Sequence, residues 1–158
     1  MLEALCRVPF FALLSDPQLM ELARRGHTTS VTEGSSIFLE GEPADGLYVL
    51  LAGEARVIRN DAGGQAVELA RLGQGDFFGE LALLDGGVRS ATVSAVSACN
   101  LFMLRSQTFL ELMLSTPEVL SQILSSLTCK VRATSERFFR EELAARTLQM
   151  RMELDRHR

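Results

Sequence analysis

Apolar and polar positions alternate in three different ways along the chain, and each regime predicts a different kind of element. The opening, MLEALCRVPFFALL, is apolar and reads as helical or irregular, placing Phe10, Phe11, Leu13 and Leu14 against a core. Ser15-Asp16-Pro17-Gln18 then reads as a helix start, with Ser15 at the N-cap, Gln18 three residues on and Pro17 in the first turn. Leu19, Leu22 and Ala23 form its apolar stripe, and Gly26 ends it.

From His27 the pattern shortens to strands divided by turn residues. The expected strands are His27–Val31, Ile37–Leu39, Leu47–Ala52, Ala55–Asn60, Ala66–Leu72, Arg89–Ala95 and Asn100–Arg105. Gly34, Gly41-Glu42-Pro43, Gly53 and Asp61-Ala62-Gly63-Gly64 punctuate them. Strands this short at such spacing predict a barrel or jelly roll. After Arg105 the period becomes helical again. Ser106 to Leu114 is a short helix with Ser106 as its cap, and Thr116-Pro117-Glu118 starts a long one. No Gly or Pro follows Pro117 through Arg158, so this helix would run ~60 Å if continuous. Leu124, Val131, Phe138, Ala145 and Met152 recur every seventh residue, with Leu120, Leu127, Thr134 and Leu148 on the alternate seam. Glu141 and Asp155 interrupt that register. Such a seam predicts a parallel homodimer, with polar Thr134 fixing register.

The stretch with the most chemistry is GQGDFFGELALLDGGVRSATVSA, Gly73 to Ala95. Its glycines let backbone approach a ligand closely. Gly79-Glu80-Leu81-Ala82-Leu83 can open a helical turn whose free N–H groups favour an anion. Arg89 could grip the same anion with a two-pronged guanidinium. Glu80 would repel a phosphate, but it fits a sugar hydroxyl attached to one. The glycine spacing is one residue longer than a dinucleotide fingerprint and lies outside a strand–helix–strand unit, and no P-loop motif occurs.

FGELALLDGGVRSATVSA resembles the phosphate-binding cassette of the cyclic-nucleotide-binding domain family, which includes the catabolite activator, kinase regulatory subunits and cyclic-nucleotide-gated channels. The likeness covers nearly the whole chain. It implies a mainly β fold with flanking helices: a jelly-roll β-barrel (double-stranded β-helix) over residues 1–115, then a long C-terminal dimerisation helix over residues 116–158. It further implies that Arg89 and Ser90 hold a cyclic phosphate, that backbone N–H groups of Gly79, Leu81 and Ala82 complete the cradle, and that Glu80 holds the ribose 2′-OH. Gly41-Glu42-Pro43-Ala44-Asp45 before Leu47-Tyr48-Val49-Leu50 also fits the family pattern. Val57, Leu69 and Leu72 fall where the family lines its base pocket, though plain core explains their spacing equally well. In the long helix, Val131 to Arg137 resembles the activator's central helix. That likeness implies that Thr134 meets the base of its own chain's nucleotide and Ser135 that of the partner chain's.

Composition narrows the choice. With 47% hydrophobic and 23% charged residues in 158, the chain suits one domain with a core and an appended helix. No apolar run reaches the ~20 residues needed to span a bilayer, so no membrane insertion is expected. MLEALCRVPFFALL has no basic start and carries Glu3, so no secretory signal is expected. Three separated cysteines without a C-x-x-C fit reduced thiols and a cytoplasmic location. Two histidines are too few for a His-based metal centre, so neither metal nor cofactor is expected beyond the ligand. A formal charge of −4 argues against non-specific nucleic-acid binding, and the alternating Glu and Arg past Glu136 read as a solvated face. The activator pattern hinges there into a DNA-binding domain and this helix continues, so direct DNA binding by this chain is not expected.

The expectation is therefore a cyclic-nucleotide sensor, cAMP first and cGMP second, that signals through its C-terminal dimer helix. The alternatives are a channel- or kinase-type module whose helix docks a protein partner, and a degenerate barrel serving only as a dimerisation scaffold. An enzyme is not expected, since no nucleophile–base–acid set appears and Ser90 has no nearby His.

Overall fold

The computed structural model describes residues 1–156; the side chains of residues 134, 137–139, 141, 142 and 145–156 lie outside the described set. Helix α1 (Leu2–Cys6) and a 3-10 turn (Phe11–Leu13) lead to α2 (Asp16–Arg25). At its start the Ser15 N–H donates to Gln18 Oε1 at 2.9 Å, satisfying a donor the helix leaves exposed. Phe10, Phe11 and Leu14 are buried, but the tight turn rotates Leu13 outward, against the sequence expectation. Gly26 does end α2, and its absence of side chain has a second reason: a Cβ there would sit 2.1 Å from the Phe102 ring.

Eight strands follow: β1 (His27–Val31), β2 (Ser36–Phe38), β3 (Gly46–Ala52), β4 (Ala55–Asn60), β5 (Ala66–Leu72), β6 (Phe77–Phe78), β7 (Thr92–Ala95) and β8 (Cys99–Arg105). They form two antiparallel four-stranded sheets, ordered β1-β8-β3-β6 and β2-β7-β4-β5. The jelly roll expected from the sequence is thus present, as an open sandwich of these two sheets. Phe38, Tyr48, Leu50, Phe78, Val93, Ala95, Leu101 and Met103 meet between the sheets. Alternation turns Leu47, Val49, Phe102 and Leu104 to the opposite face of β3 and β8, where they are buried as well. That explains why β3 reads as an unbroken apolar run: helices cover its second face. Each such Leu or Phe contributes about 1.5–3 kcal/mol on burial.

Two helices close the folded unit, Met1–Leu120. Short α3 (Glu80–Asp85) lies between β6 and β7, and α4 (Ser106–Ser115) follows β8 directly. Arg105 rather than Ser106 occupies the N-cap of α4, and no side chain caps it. Helix α5 (Pro117–Arg156) is 40 residues long, and most of it belongs to a second unit, Ser121–Arg158. Of the heptad seam, Leu124 and Val131 are exposed, at 53% and 64%. The seam side chains of Thr134, Phe138, Ala145, Leu148 and Met152 lie outside the described residues. Among the described residues no helix is long and apolar enough to cross a membrane.

Candidate functional site

Arg89 is the largest fully buried side chain, and the fold is built around the problem it poses. A guanidinium removed from water must find acceptors and a counter-charge. Its Nη2 donates to Asp45 Oδ1 at 2.6 Å and to the Gly46 carbonyl at 2.9 Å, and its Nη1 donates to the Gly79 carbonyl at 2.9 Å. The flat face lies on aromatic rings, 4.1 Å above the centroid of Phe38 and 5.6 Å from that of Tyr48. Nε is buried and has no hydrogen-bond partner among the described residues.

The backbone of Arg89 is clamped too. Its N–H donates to Glu42 O at 2.8 Å and its carbonyl accepts from Gly41 N at 2.8 Å, while Pro43 pairs with Val88 in an isolated bridge. Val88 and Arg89 are thus held by the β2–β3 loop, and β7 starts at Thr92 and not at Arg89 as the sequence suggested. Asp45, Gly46 and Tyr48 all come from the end of that loop and the start of β3. Gly46 is needed there because a Cβ would lie 2.3 Å from Leu104 O across the sheet.

On the other side stands Gly79, in the left-handed region at φ 85° and at the N-cap of α3. A Cβ at Gly79 would lie 2.5 Å from Arg89 Nη1, so both conformation and space require glycine. The first N–H groups of α3 have no partner within the helix and face this end. Glu80 is buried at 3% exposure and Ala82 at 4%, whereas Leu81 is 48% exposed. Ser90 is exposed beside Arg89. The fold therefore brings Gly79, Glu80, Leu81, Ala82, Arg89 and Ser90 into one contiguous region.

The other expected residues divide. Val57 and Leu72 are half-buried and pack against the core between the sheets. Ala70 faces Val57 and Glu68 faces Ile58, so a bulge falls at Leu69. The bulge breaks the alternation and leaves Leu69 43% exposed. Ser135 is exposed on α5; the side chain of Thr134 lies outside the described residues. Sequence reasoning missed Asp45, Phe38 and Tyr48 as partners of Arg89. Tyr48 donates its hydroxyl to Asp45 Oδ2 at 3.0 Å, and its pKa is pushed up to about 12, by burial first and by the Asp45 hydrogen bond next. A buried arginine demands an acid, but Glu40, Glu42, Asp45, Glu80 and Asp85 all stand within reach in the sequence. Only the fold selects Asp45.

Comparison with known proteins gives the family and the fold. Residues 28–116 match the family described as the cyclic nucleotide-binding domain. The chain is 32% identical over 124 residues to the cAMP-activated global transcriptional regulator CRP of Salmonella typhimurium, covering 78% of this chain and 59% of that protein. It is similar to the crystal structure of the Thermus thermophilus catabolite activator protein, with a TM-score of 0.74, 31% identity, and coverage of 82% of this chain and 61% of that one. A co-crystal structure of the regulatory domain of Toxoplasma gondii PKA with cAMP gives a TM-score of 0.70 at 28% identity, covering 79% of this chain and 48% of that one. The chain thus spans about three-fifths of the curated relative's length.

Proposed function

We propose, on the premise that the chain belongs to the cyclic nucleotide-binding domain family, that its sandwich is a regulatory module that binds cAMP. One observation carries the reading. Arg89 is buried on an aromatic floor with Nε lacking an acceptor among the described residues, and it bonds Gly79, which opens α3. Buried donors are rarely left unspent, and a singly charged phosphodiester supplies the acceptor. Arg89 and Ser90 then hold the phosphate with the N–H groups of Gly79, Leu81 and Ala82, and Glu80 accepts from the ribose 2′-OH. Val57, Leu69 and Leu72 are assigned to the base, as are Thr134 and Ser135. The role is regulatory rather than catalytic, in keeping with the likeness to the CRP transcriptional regulator and the PKA regulatory domain. Calorimetric titration of cAMP, cGMP and a cyclic dinucleotide tests it: cAMP is expected to bind most tightly. No binding of any of the three overturns the reading.

Output runs through α5 as a parallel homodimer. The exposed Leu124 and Val131, seven residues apart, support this because an isolated helix gains nothing from apolar residues in water. A ligand shifts such a helix only by the difference in its affinity for two poses. A second reading, a kinase-type module whose helix docks a protein partner, draws on the likeness to the Toxoplasma gondii domain. Light scattering separates them: a dimer constant with and without cAMP supports the first, and ligand-driven change of mass supports the second.

A further inference from the structure

The start of β3 supplies three groups to one place. Asp45 gives a carboxylate, Gly46 a carbonyl and Tyr48 a phenol. The carboxylate is bonded at both ends: Oδ1 accepts from Arg89 Nη2 at 2.6 Å and Oδ2 from the Tyr48 hydroxyl at 3.0 Å. Asp45 needs the second tether, because its side chain is 58% exposed and water competes for it. The Tyr48 hydroxyl is itself fixed by packing. Its ring is 8% exposed, stacked on Phe78 at 5.7 Å and 13°, with Phe38 at 5.7 Å on another side.

We infer that Tyr48 is a positioning residue for ligand binding: it aims the Asp45 carboxylate, and Asp45 sets the direction in which Arg89 presents its remaining donors. The inference rests on the reading of Arg89 as the phosphate ligand. A guanidinium is planar and carries five donors in a rigid fork. Nη2 spends both hydrogens on Asp45 and Gly46, and Nη1 spends one on Gly79. Among the described residues the N–H of Nε and the second hydrogen of Nη1 are left, and their direction follows from how the spent edge is held. Tyr48 touches no ligand in this scheme and acts only through Asp45.

Tyr48→Phe removes one oxygen and keeps the stacked ring. The full chain carrying it is expected to bind cAMP about 2- to 10-fold more weakly, the range of one hydrogen bond. In an Asp45→Ala background the same change is expected to do nothing further, which a role in packing alone would not produce. A second readout needs no ligand. Tyr48 is the one tyrosine in the chain and there is no tryptophan, so near-ultraviolet absorbance titrates this phenol alone. Its midpoint, pushed up to about 12 by burial first and by Asp45 next, is expected to fall part of the way in Asp45→Ala, burial keeping the rest. If Asp45→Ala does not fold, Asp45→Asn removes the same charge and is expected to lower the midpoint too. Equal losses from Tyr48→Phe in both backgrounds, wild-type affinity in Tyr48→Phe, or an unmoved midpoint each overturn the inference. Absence of cAMP binding by the wild type instead removes the functional reading, and the titration still decides whether Tyr48 and Asp45 are linked.

Discussion

Arg89 and Asp45 form an ion pair across the boundary between protein and water: the arginine side chain is 1% exposed and the aspartate side chain 58%. Solvent screens the acid more than the base, so the pair contributes little as a surface bridge would. What it does is hold a buried cation in one orientation with part of its donor set unspent.

Removing that cation is expected to be the most damaging change for ligand binding. Arg89→Ala should weaken cAMP binding by about 2–5 kcal/mol, the range for deleting one partner of a buried charge pair, which is tens-fold or more. Calorimetry reads it directly, and unchanged affinity would falsify the placement of the phosphate.

Glu80 is assigned to the ribose, and this predicts a pairing between variant and ligand. Glu80→Gln should lose about 1.5–3 kcal/mol toward cAMP, the range for a hydrogen bond to a charged group. Toward 2′-deoxy-cAMP, which lacks the hydroxyl, wild type and variant should bind alike. A comparable loss with both ligands would place Glu80 elsewhere.

Gly79 and Gly86 both adopt left-handed backbone, at φ 85° and 67°, but only Gly79 has a neighbour against its missing Cβ. Gly86→Ala should destabilise the fold by about 1–2 kcal/mol, the conformational cost alone, and leave affinity intact. Gly79→Ala should cost more, because the Arg89 guanidinium is held by Asp45, Gly46 and Gly79 and cannot step aside cheaply. Urea midpoints rank the two, and cAMP titration of Gly79→Ala should show a loss that Gly86→Ala lacks.

The raised Tyr48 pKa makes stability depend on alkaline pH. The folded state keeps its phenol proton up to about 12, whereas the unfolded chain releases it near 10. Folding therefore binds protons in that window, so the Tyr48 contribution is complete below 10 and is lost as pH rises through 12. Denaturant midpoints of the wild type should fall more steeply across this window than those of Tyr48→Phe. Parallel curves would show the phenol titrating normally.

Much of the strand order could be read from residue spacing, because Gly and Asp turns punctuate it: β1, β4 and β5 begin and end where the alternation places them. The two-residue β6 was not legible, since Phe77-Phe78 is too short to show a period. Arg89 was expected to open a strand, yet both its backbone groups bond to Gly41 and Glu42 in the β2–β3 loop, and the strand starts at Thr92. Leu13 looked like core by type, and only the 3-10 turn decides that it faces water. In the candidate site, the stretch from Gly79 to Ser90 stands out as one block of sequence. The support beneath it does not, for Phe38 and Tyr48 look like any strand aromatics until the fold sets them under a cation.

Phe77 and Phe78 also tie two layers together. Phe78 stacks on Tyr48 between the sheets, while Phe77 meets Phe10 edge-on at 4.8 Å, and Gly79 follows at once. The leading segment of the chain is thus packed, through Phe10, against a residue two places before Gly79. Phe10→Ala, which removes no ligand contact, should slacken the grip of Gly79 on Arg89 and show up as faster release of cAMP.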